Sequence, residues 1–379
     1  MRLLPIVALA YDVQRVRPVH PIVTVLRHKP AGHFICVVAA FHGRARNSRN
    51  KFVSAPYRLP IIDVTALNGG AIDDMRTVAR EIGAACERHG FFYITGHGIP
   101  EALVERMFAE STRFFAMPPE HKLKIKINRA NRGYVPPGAS AQNISSVESA
   151  NRRNQYESLM VRDELEPGAP EEIANNPMHG PNQWVDGLPG FKKTCLEHYE
   201  VLKTLGRKFL PAFALALDLA PDHFEQYFRQ PTTSLRLLHY PHQESHVEDG
   251  YGHAPHTDYG FLTILAQDEV GGLEVYDKAT RHWIRAASVP GAFVVNIGDA
   301  LARWTNNRFV STHHRVASMT VGRERYSIPF FFHLDVDASI EVLSICCGPQ
   351  NPPRYPPIRF GDYLAERLAA NYAFARDNG

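Results

Sequence analysis

The pattern of hydrophobic and polar positions divides the chain near residue 233. Upstream of this point, short apolar runs alternate with helical periodicities, and Pro and Gly separate them. The pattern predicts strands at 59–64 and 90–95, and helices at 73–89, from Pro100 to about 115, and at 191–219. The stretch 127–190 is rich in Pro, Asn and Gly, and we expect it to be mostly loop.

Downstream of residue 233 the pattern changes to strands. The β-rich runs are LRLLHY, FLTILAQ, GLEVYD, AFVVNIG, RFVSTHHRV and RYSIPFFFHL, separated by Gly, Asp, Asn or Pro. Strands at a spacing of roughly 8–15 residues are typical of a sandwich or barrel rather than a parallel α/β sheet. We therefore predict a mainly β fold with flanking helices around a double-stranded β-helix (jelly roll) core, and a final amphipathic helix at 360–375.

Four segments follow from these patterns. Residues 1–52 form a basic N-terminal extension, 53–230 a helical and strand region, 231–335 the jelly-roll core, and 336–379 a C-terminal tail and helix. The arginine-rich, acid-poor extension suggests a transit peptide, although it contains few serines. The alternative is that translation begins near Val53, so that the extension is non-native or disordered.

Charge and composition narrow the class of protein. The 379 residues carry a net charge of +3. Residues 1–58 contain ten Lys/Arg and one acidic residue, which gives this segment a net charge of +9 and leaves a net charge of −6 for residues 59–379. A body of this charge argues against a nucleic-acid partner. The apolar runs are shorter than the ~20 residues that span a bilayer. Five cysteines without CxxC spacing argue against a disulfide framework, so we expect a cytoplasmic protein.

The run PHTD places a metal-binding pair on one strand. His256 and Asp258 are two residues apart, so alternation puts both side chains on the same face. A third ligand must come from another strand, and His313 and His314 are the candidates. Alternation along the strand favours His314, because His314 shares a face with Val310, Thr312 and Val316, and a face with two valines is expected to be buried. Two imidazoles and one carboxylate are the facial triad of non-haem Fe(II) oxygenases.

A second pair lies eleven residues beyond His314. Arg325 and Ser327 share one strand face, and a guanidinium with a hydroxyl is a suitable receptor for a carboxylate. A metal with open positions beside such a receptor suggests a chelating keto-acid cosubstrate. The same ligands could serve a zinc hydrolase, but no general base is evident nearby. The other histidines before His256, which are His239, His242, His246 and His253, are expected to be surface residues rather than a second metal site.

Several segments, in order, carry a resemblance to a known family. These are LPIIDV, GFFYITGHGIP, HTDYGFLTILAQDEVGGLEV, PGAFVVNIGDALARWTNNRFVSTHHRV and ERYSIPFFF. They resemble the iron- and 2-oxoglutarate-dependent oxygenases of the isopenicillin N synthase-like superfamily, from residue 59 to the C-terminal helix. The resemblance implies Fe(II) on His256, Asp258 and His314, with 2-oxoglutarate and O2 as cosubstrates. It also implies that Arg325 and Ser327 hold 2-oxoglutarate.

Secondary positions follow the family less closely. Tyr240 stands where the family often has a cosubstrate-contacting tyrosine, but Leu238 replaces the Asn that is common in plant members, and His313 replaces a common Pro. Phe331 and His333 share the face of Arg325 and are candidates for the substrate pocket. Tyr134 and Arg132, in the 127–190 stretch, are further candidates.

The function implied by the resemblance is a dioxygenase that hydroxylates, desaturates or cyclises a small molecule and releases succinate and CO2. A monomer without a nucleic-acid or membrane partner is expected. An oxidase similar to isopenicillin N synthase, which uses no keto acid, and an ethylene-forming type of enzyme are alternatives within the fold. A catalytically silent jelly-roll binding protein is a further alternative.

Overall fold

The computed structural model describes four short strands between residues 4 and 25, and residues 58–139, 154–164, 180–242, 251–316 and 322–371. The chain divides into two compact units, Met1–Ser54 and Ala55–Gly379. In the first unit, where no strand period is evident in the sequence, β1 (Leu4–Val7) pairs with β4 (Ile22–Val25), and β2 (Ala10–Tyr11) pairs with β3 (Pro18–Val19).

Two sheets form the centre of the second unit. The major sheet has eight strands in the order β5-β6-β14-β11-β16-β9-β8-β7, antiparallel except for the β5–β6 pair. The minor sheet has four strands in the order β10-β15-β12-β13. The strands are β5 (Ile61–Asp63), β6 (Phe91–Thr95), β7 (Gly133–Val135), β8 (Glu157–Val161), β9 (Thr233–Tyr240), β10 (His253–His256), β11 (Leu262–Gln267), β12 (Leu273–Asp277), β13 (His282–Arg285), β14 (Phe293–Ile297), β15 (His314–Val316), β16 (Arg325–Phe332), β17 (Ser339–Ile340) and β18 (Ile358–Arg359).

The described helices are α1 (Ile72–Arg88), α2 (Glu101–Phe115), α3 (Pro119–Leu123), α4 (Phe191–Ala216), α5 (Asp299–Trp304) and α6 (Phe360–Asn371). Of these, α1, α2 and α4 pack on strands of the major sheet, whereas α5 contacts β17 and α6 contacts β18. The helix α4 lies against β9, β11 and β16. Its Gly206 faces the ring of Phe332, where a Cβ would come within 2.6 Å of the ring. The missing side chain therefore allows the close approach of helix and sheet. Within the described part of the chain, no helix has the length and apolar character needed to cross a membrane.

The predicted elements agree with these bounds in most places, and two differ. The stretch 127–190, which we expected to be mostly loop, supplies β7 and β8, and β8 pairs with β9 to extend the major sheet. The run 309–316 forms a strand only at its last three residues. Residues 310–312 instead form hydrogen bonds with the C-terminal end of α1. Val310 N donates to Cys86 O, and Thr312 Oγ1 donates to His89 O.

Candidate functional site

Three buried side chains meet in the minor sheet, where β10 ends and β15 begins. His256 and His314 are register partners on β10 and β15, and Asp258 follows in the turn after β10. One ligand atom from each residue lies within 4.8 Å of the other two. Asp258 Oδ1 is 4.0 Å from His256 Nε2 and 3.7 Å from His314 Nε2. The cluster is the donor set expected for non-haem iron.

Hydrogen bonds hold each of these side chains in one orientation. His256 Nδ1 lies 2.8 Å from Ala254 O, and His314 Nδ1 lies 3.2 Å from Thr312 O. Because a carbonyl oxygen only accepts, each Nδ1 carries the proton, and each Nε2 keeps its lone pair for a metal. Thr263 Oγ1 and Asn296 Nδ2 donate to Asp258 Oδ2 at 2.6 and 2.7 Å.

The ionisation states also suit a metal. Burial and the neighbouring His314 lower the pKa of His256 to about 3, so its ring is neutral at pH 7. Burial raises the pKa of Asp258, but the two histidines and the bonds from Asn296 and Thr263 outweigh it, and the net pKa is lowered. A neutral imidazole and an ionised carboxylate are the forms that bind metal.

The structure brings His256, Asp258 and His314 together by a geometry that differs in one respect from the prediction. We expected His256 and Asp258 on one strand, but β10 ends at His256. The turn carries Asp258 instead, and the backbone N–H of Asp299 fixes that turn by donating to Asp258 O at 2.7 Å. His313 is not part of this cluster and lines a second cavity, which His256 also borders.

The predicted carboxylate receptor lies on β16. Arg325 and Ser327 are 1% and 2% exposed, and they pair with Tyr240 and Leu238 of β9. The Arg325 guanidinium lies 4.7 Å from the centre of the Tyr240 ring, and its Nε donates to Gly271 O. Its Nη1 is buried without a hydrogen-bond partner in the described part of the chain. A buried donor of this kind is available to an acceptor oxygen of a bound molecule.

A cavity of about 80 Å³ adjoins two of the three clustered residues. His256 and Asp258 line it, together with the predicted pocket residues Phe331 and His333. Its other lining residues are Met160, Arg162, Ser234, Arg236, His253, Thr257, Tyr259, Leu364 and Leu368. The cavity therefore lies between strands of both sheets and the C-terminal helix α6.

Tyr134 and Arg132, which were predicted as candidates for the substrate pocket, are not among the residues that line this cavity. Tyr134 pairs with Leu159 on β8, which directs its side chain to the other face of the sheet, where its hydroxyl donates to Glu157. Arg132 is buried and donates to Asp163 O. Two histidines expected at the surface are also buried. His239 lies 2.8 Å from Glu157 Oε1, and His253 stacks on His256 with ring centres 3.9 Å apart.

Two cavity residues, Arg162 and Arg236, were missed by the sequence analysis. Alternation along β9 places Arg236 on the same face as Tyr240, so the strand pattern carried a signal for Arg236. Arg162 follows β8, in a stretch expected to be loop, and no signal in the sequence pointed to it.

A larger cavity of about 550 Å³ also borders the turn that carries Asp258. It shares His256, Thr257 and Tyr259 with the first cavity. Helix α6 lines both, with Leu364 and Leu368 on the smaller cavity and Tyr363 and Arg367 on the larger. We call the smaller space the inner cavity and the larger one the outer cavity.

Comparisons with known proteins identify the family of this chain. Residues 59–187 match the model described as non-haem dioxygenase in morphine synthesis N-terminal, and residues 231–334 match the 2OG-Fe(II) oxygenase superfamily. A 2-oxoglutarate-Fe(II) type oxidoreductase of Emericella nidulans is 35% identical, covering 85% of this chain and 92% of the relative. Homoarginine-6-hydroxylase of Oryza sativa subsp. japonica is 32% identical, covering 83% and 97%.

Solved structures give the same result. A full-length Neurospora crassa protein, in complex with alpha-KG and thymine, superimposes with a TM-score of 0.72 at 30% identity, covering 82% of this chain and 96% of the solved one. The predicted jelly-roll fold is thereby confirmed, as are Fe(II) and 2-oxoglutarate as cofactor and cosubstrate. The chain belongs to the 2OG-Fe(II) oxygenase superfamily and is a 2-oxoglutarate-dependent non-haem iron dioxygenase.

Proposed function

We propose that His256, Asp258 and His314 hold the iron of this dioxygenase, and that Arg325, Ser327 and Tyr240 hold the distal carboxylate of 2-oxoglutarate. The convergence of two Nε2 atoms and Asp258 Oδ1 within 4.8 Å carries the proposal. When bound, iron and 2-oxoglutarate supply the oxidation of a substrate C–H bond, with release of succinate and CO2.

The protein's own contribution is orientation and the exclusion of water. Backbone carbonyls set the two imidazoles, and Thr263 and Asn296 set the carboxylate, before any metal arrives. The buried Nη1 of Arg325 supplies a charge-assisted donor for the cosubstrate. Tyr240 packs against the same guanidinium and limits its motion. Phe331 and His333 line the inner cavity and would contact the substrate.

The substrate is a small molecule, in line with the Neurospora crassa relative, which was solved with thymine. We propose in addition that the enzyme acts as a monomer in the cytoplasm without a nucleic-acid partner. The net charge of −6 on residues 59–379 argues against a nucleic-acid partner, and the free Cys86, Cys195, Cys346 and Cys347 favour a reducing compartment. Gel filtration tests the monomer, and the mass of the native N-terminus tests whether residues 1–52 are translated.

Anaerobic titration of the iron-loaded protein with 2-oxoglutarate tests the residue roles. The expected result is a visible charge-transfer band from the iron-bound keto acid. The band should be absent in His256→Ala and His314→Ala, and Arg325→Ala should require more 2-oxoglutarate to produce it. His313→Ala is the matched control, because His313 adjoins His314 but lines the outer cavity.

Two outcomes would contradict these roles. Loss of iron in His313→Ala with iron retained in His314→Ala would reverse the ligand assignment. An unchanged 2-oxoglutarate affinity in Arg325→Ala would make the Arg325 and Ser327 pair a substrate receptor, as in the keto-acid-independent alternative.

A further inference from the structure

The floor of the inner cavity is one face of three adjacent strands. Alternate residues reach it from β8, β9 and β16 and the residues just after them. The register pairs Met160 with Arg236 and Ser234 with Phe331, so these side chains lie side by side. The six residues of this floor are Met160, Arg162, Ser234, Arg236, Phe331 and His333.

The proposed cosubstrate receptor lies further along the same face. Arg325 pairs with Tyr240, and Tyr240 and Arg236 are four residues apart on β9, which corresponds to about 13 Å. The Arg325 end and the Arg162–Arg236 end are therefore separate places, and one molecule of 2-oxoglutarate at Arg325 leaves the second end for another ligand.

Two cationic side chains, Arg162 and Arg236, line the second end of the inner cavity. Arg162 and Arg236 are 6% and 4% exposed, and Asp258, the proposed metal ligand, is the one acid among the described residues that line the inner cavity. Burial and the charge of Arg162 lower the pKa of His333 to about 3, so this ring is neutral at pH 7. The cationic side chains that line this end are therefore those of Arg162 and Arg236.

Hydroxyl groups orient Arg236. Its Nε and Nη2 donate to Ser158 Oγ at 3.1 and 3.0 Å, and its Nη2 donates to the Tyr156 hydroxyl at 3.2 Å. The guanidinium also lies 5.0 Å from the centre of the Tyr156 ring. The Nε of Arg162 donates to Asn131 O at 3.3 Å. Each guanidinium is thus held in place at the cavity wall, which is how a preformed anion receptor is built.

The rest of the inner cavity is largely apolar. Met160, Phe331, Leu364 and Leu368 face it, and Tyr259 adds an aromatic ring. A ligand that satisfies both parts has an anionic head and a compact hydrocarbon body. His256 and Asp258 line the same space, so the body of such a ligand would lie beside the metal.

We infer that the substrate is a small hydrophobic carboxylic acid whose carboxylate is bound by Arg162 and Arg236. The inference rests on the proposed function, because it takes the inner cavity as the substrate pocket. The outer cavity supports it independently. Lys278, Arg303, Arg354 and Arg367 line that cavity together with a single acid, Asp299, among the described residues.

A cation-rich cavity is unexpected on a body whose net charge is −6. Like the arginine pair, it favours anions, and it borders the same turn at His256 and Thr257. Clustered charge of this kind raises the local concentration of an oppositely charged ligand and its rate of association.

Calorimetric titration of the anaerobic Fe(II)–2-oxoglutarate enzyme tests the inference. The probes are benzoate, phenylacetate and cyclohexanecarboxylate, each compared with its primary amide, which keeps the shape and removes the charge. We expect at least one acid to bind about 10–100-fold more tightly than its amide, as for a hydrogen bond to a charged group. Arg162→Gln and Arg236→Gln should each remove most of that preference.

Arg132→Gln is the matched control. Arg132 is also buried, at 1% exposure, but it lies outside the cavity, so its loss should leave the acid preference unchanged. The affinity for 2-oxoglutarate, measured on each variant, should stay the same and shows that the variant is folded.

The possible failures are distinguishable. Wild-type enzyme that binds no 2-oxoglutarate would contradict the proposed function. Enzyme that binds 2-oxoglutarate, but binds amides as tightly as acids or binds none of the acids up to about 10 mM, would overturn only the inference. An acid preference that survives in both Arg162→Gln and Arg236→Gln would likewise overturn the arginine assignment.

Discussion

Two side chains on adjacent strands of the major sheet hold Asp258. Thr263 of β11 and Asn296 of β14 are directly opposite in the register, and both donate to Asp258 Oδ2. Thr263→Val and Asn296→Leu each remove one donor with little change in shape. We predict that each variant folds and binds Fe(II) more weakly, because the carboxylate loses part of its fixed orientation.

The size of the effect follows from the bonds that are lost. A hydrogen bond to a charged group contributes about 1.5–3 kcal/mol, and removing a partner of a metal-binding residue typically costs about 10–100-fold in metal affinity. Each loss also raises the pKa of Asp258, since both bonds lower it in the folded protein. The two substitutions share Asp258 as their partner, so their effects in the double variant should not be additive.

Anaerobic competition with a coloured Fe(II) chelator measures the affinity. Thr305→Val is the matched control, because Thr305 is also buried and its Oγ1 donates to Leu301 O at 2.9 Å, on the short helix α5. This control should lower the melting temperature and leave the Fe(II) affinity unchanged. The reasoning is refuted if folded Thr263→Val and Asn296→Leu both bind Fe(II) within about twofold of the original protein.

Three further predictions concern the free energy of unfolding, measured by urea titration. Burial lowers the pKa of His198 to about 4 from 6.5, so the unfolded chain binds the proton more strongly, and His198 should contribute about 2 kcal/mol to the fall in stability between about pH 7.5 and pH 5. His198→Leu should reduce the total pH dependence by about this amount and leave the part due to His256 and His333, and an unchanged dependence would contradict the assignment. Gly206→Ala should cost about 1–3 kcal/mol, because its Cβ would meet the Phe332 ring, and a neutral result would show that α4 can shift. Lys122→Met should cost about 3–5 kcal/mol, because Glu157 is then a buried charge without its ion pair, and adding Glu157→Gln should recover part of the loss.

Local periodicity was sufficient for much of the proposed site. Arg325, Ser327, Phe331 and His333 are assigned to one face by alternation, and β16 is a continuous strand through Phe332, so the assignment agrees with the structure. The choice of His314 over His313 needed only the burial of alternate residues. Thr312, His314 and Val316 are buried, although only the last three residues of that run form a strand.

Other features depended on contacts between distant segments. The side of the sheet on which Tyr134 lies is set by the pairing of β7 with β8, and a shift of one residue would reverse it. The position of Arg162 in the cavity likewise depends on β8 joining β9. The sequence of 127–190 carries too weak a strand pattern to reveal either pairing.

The sequence by itself determined the strand-rich core, the two residue pairs His256–Asp258 and Arg325–Ser327, and the family resemblance, because each depends on residues close together in the chain. Only the tertiary structure decided that Asp258 lies in a turn, that Tyr134 faces away, and that Arg162 and Arg236 stand at the cavity. The physical reason is that strand register is set by non-local hydrogen bonds, and register decides which side chains face the same space.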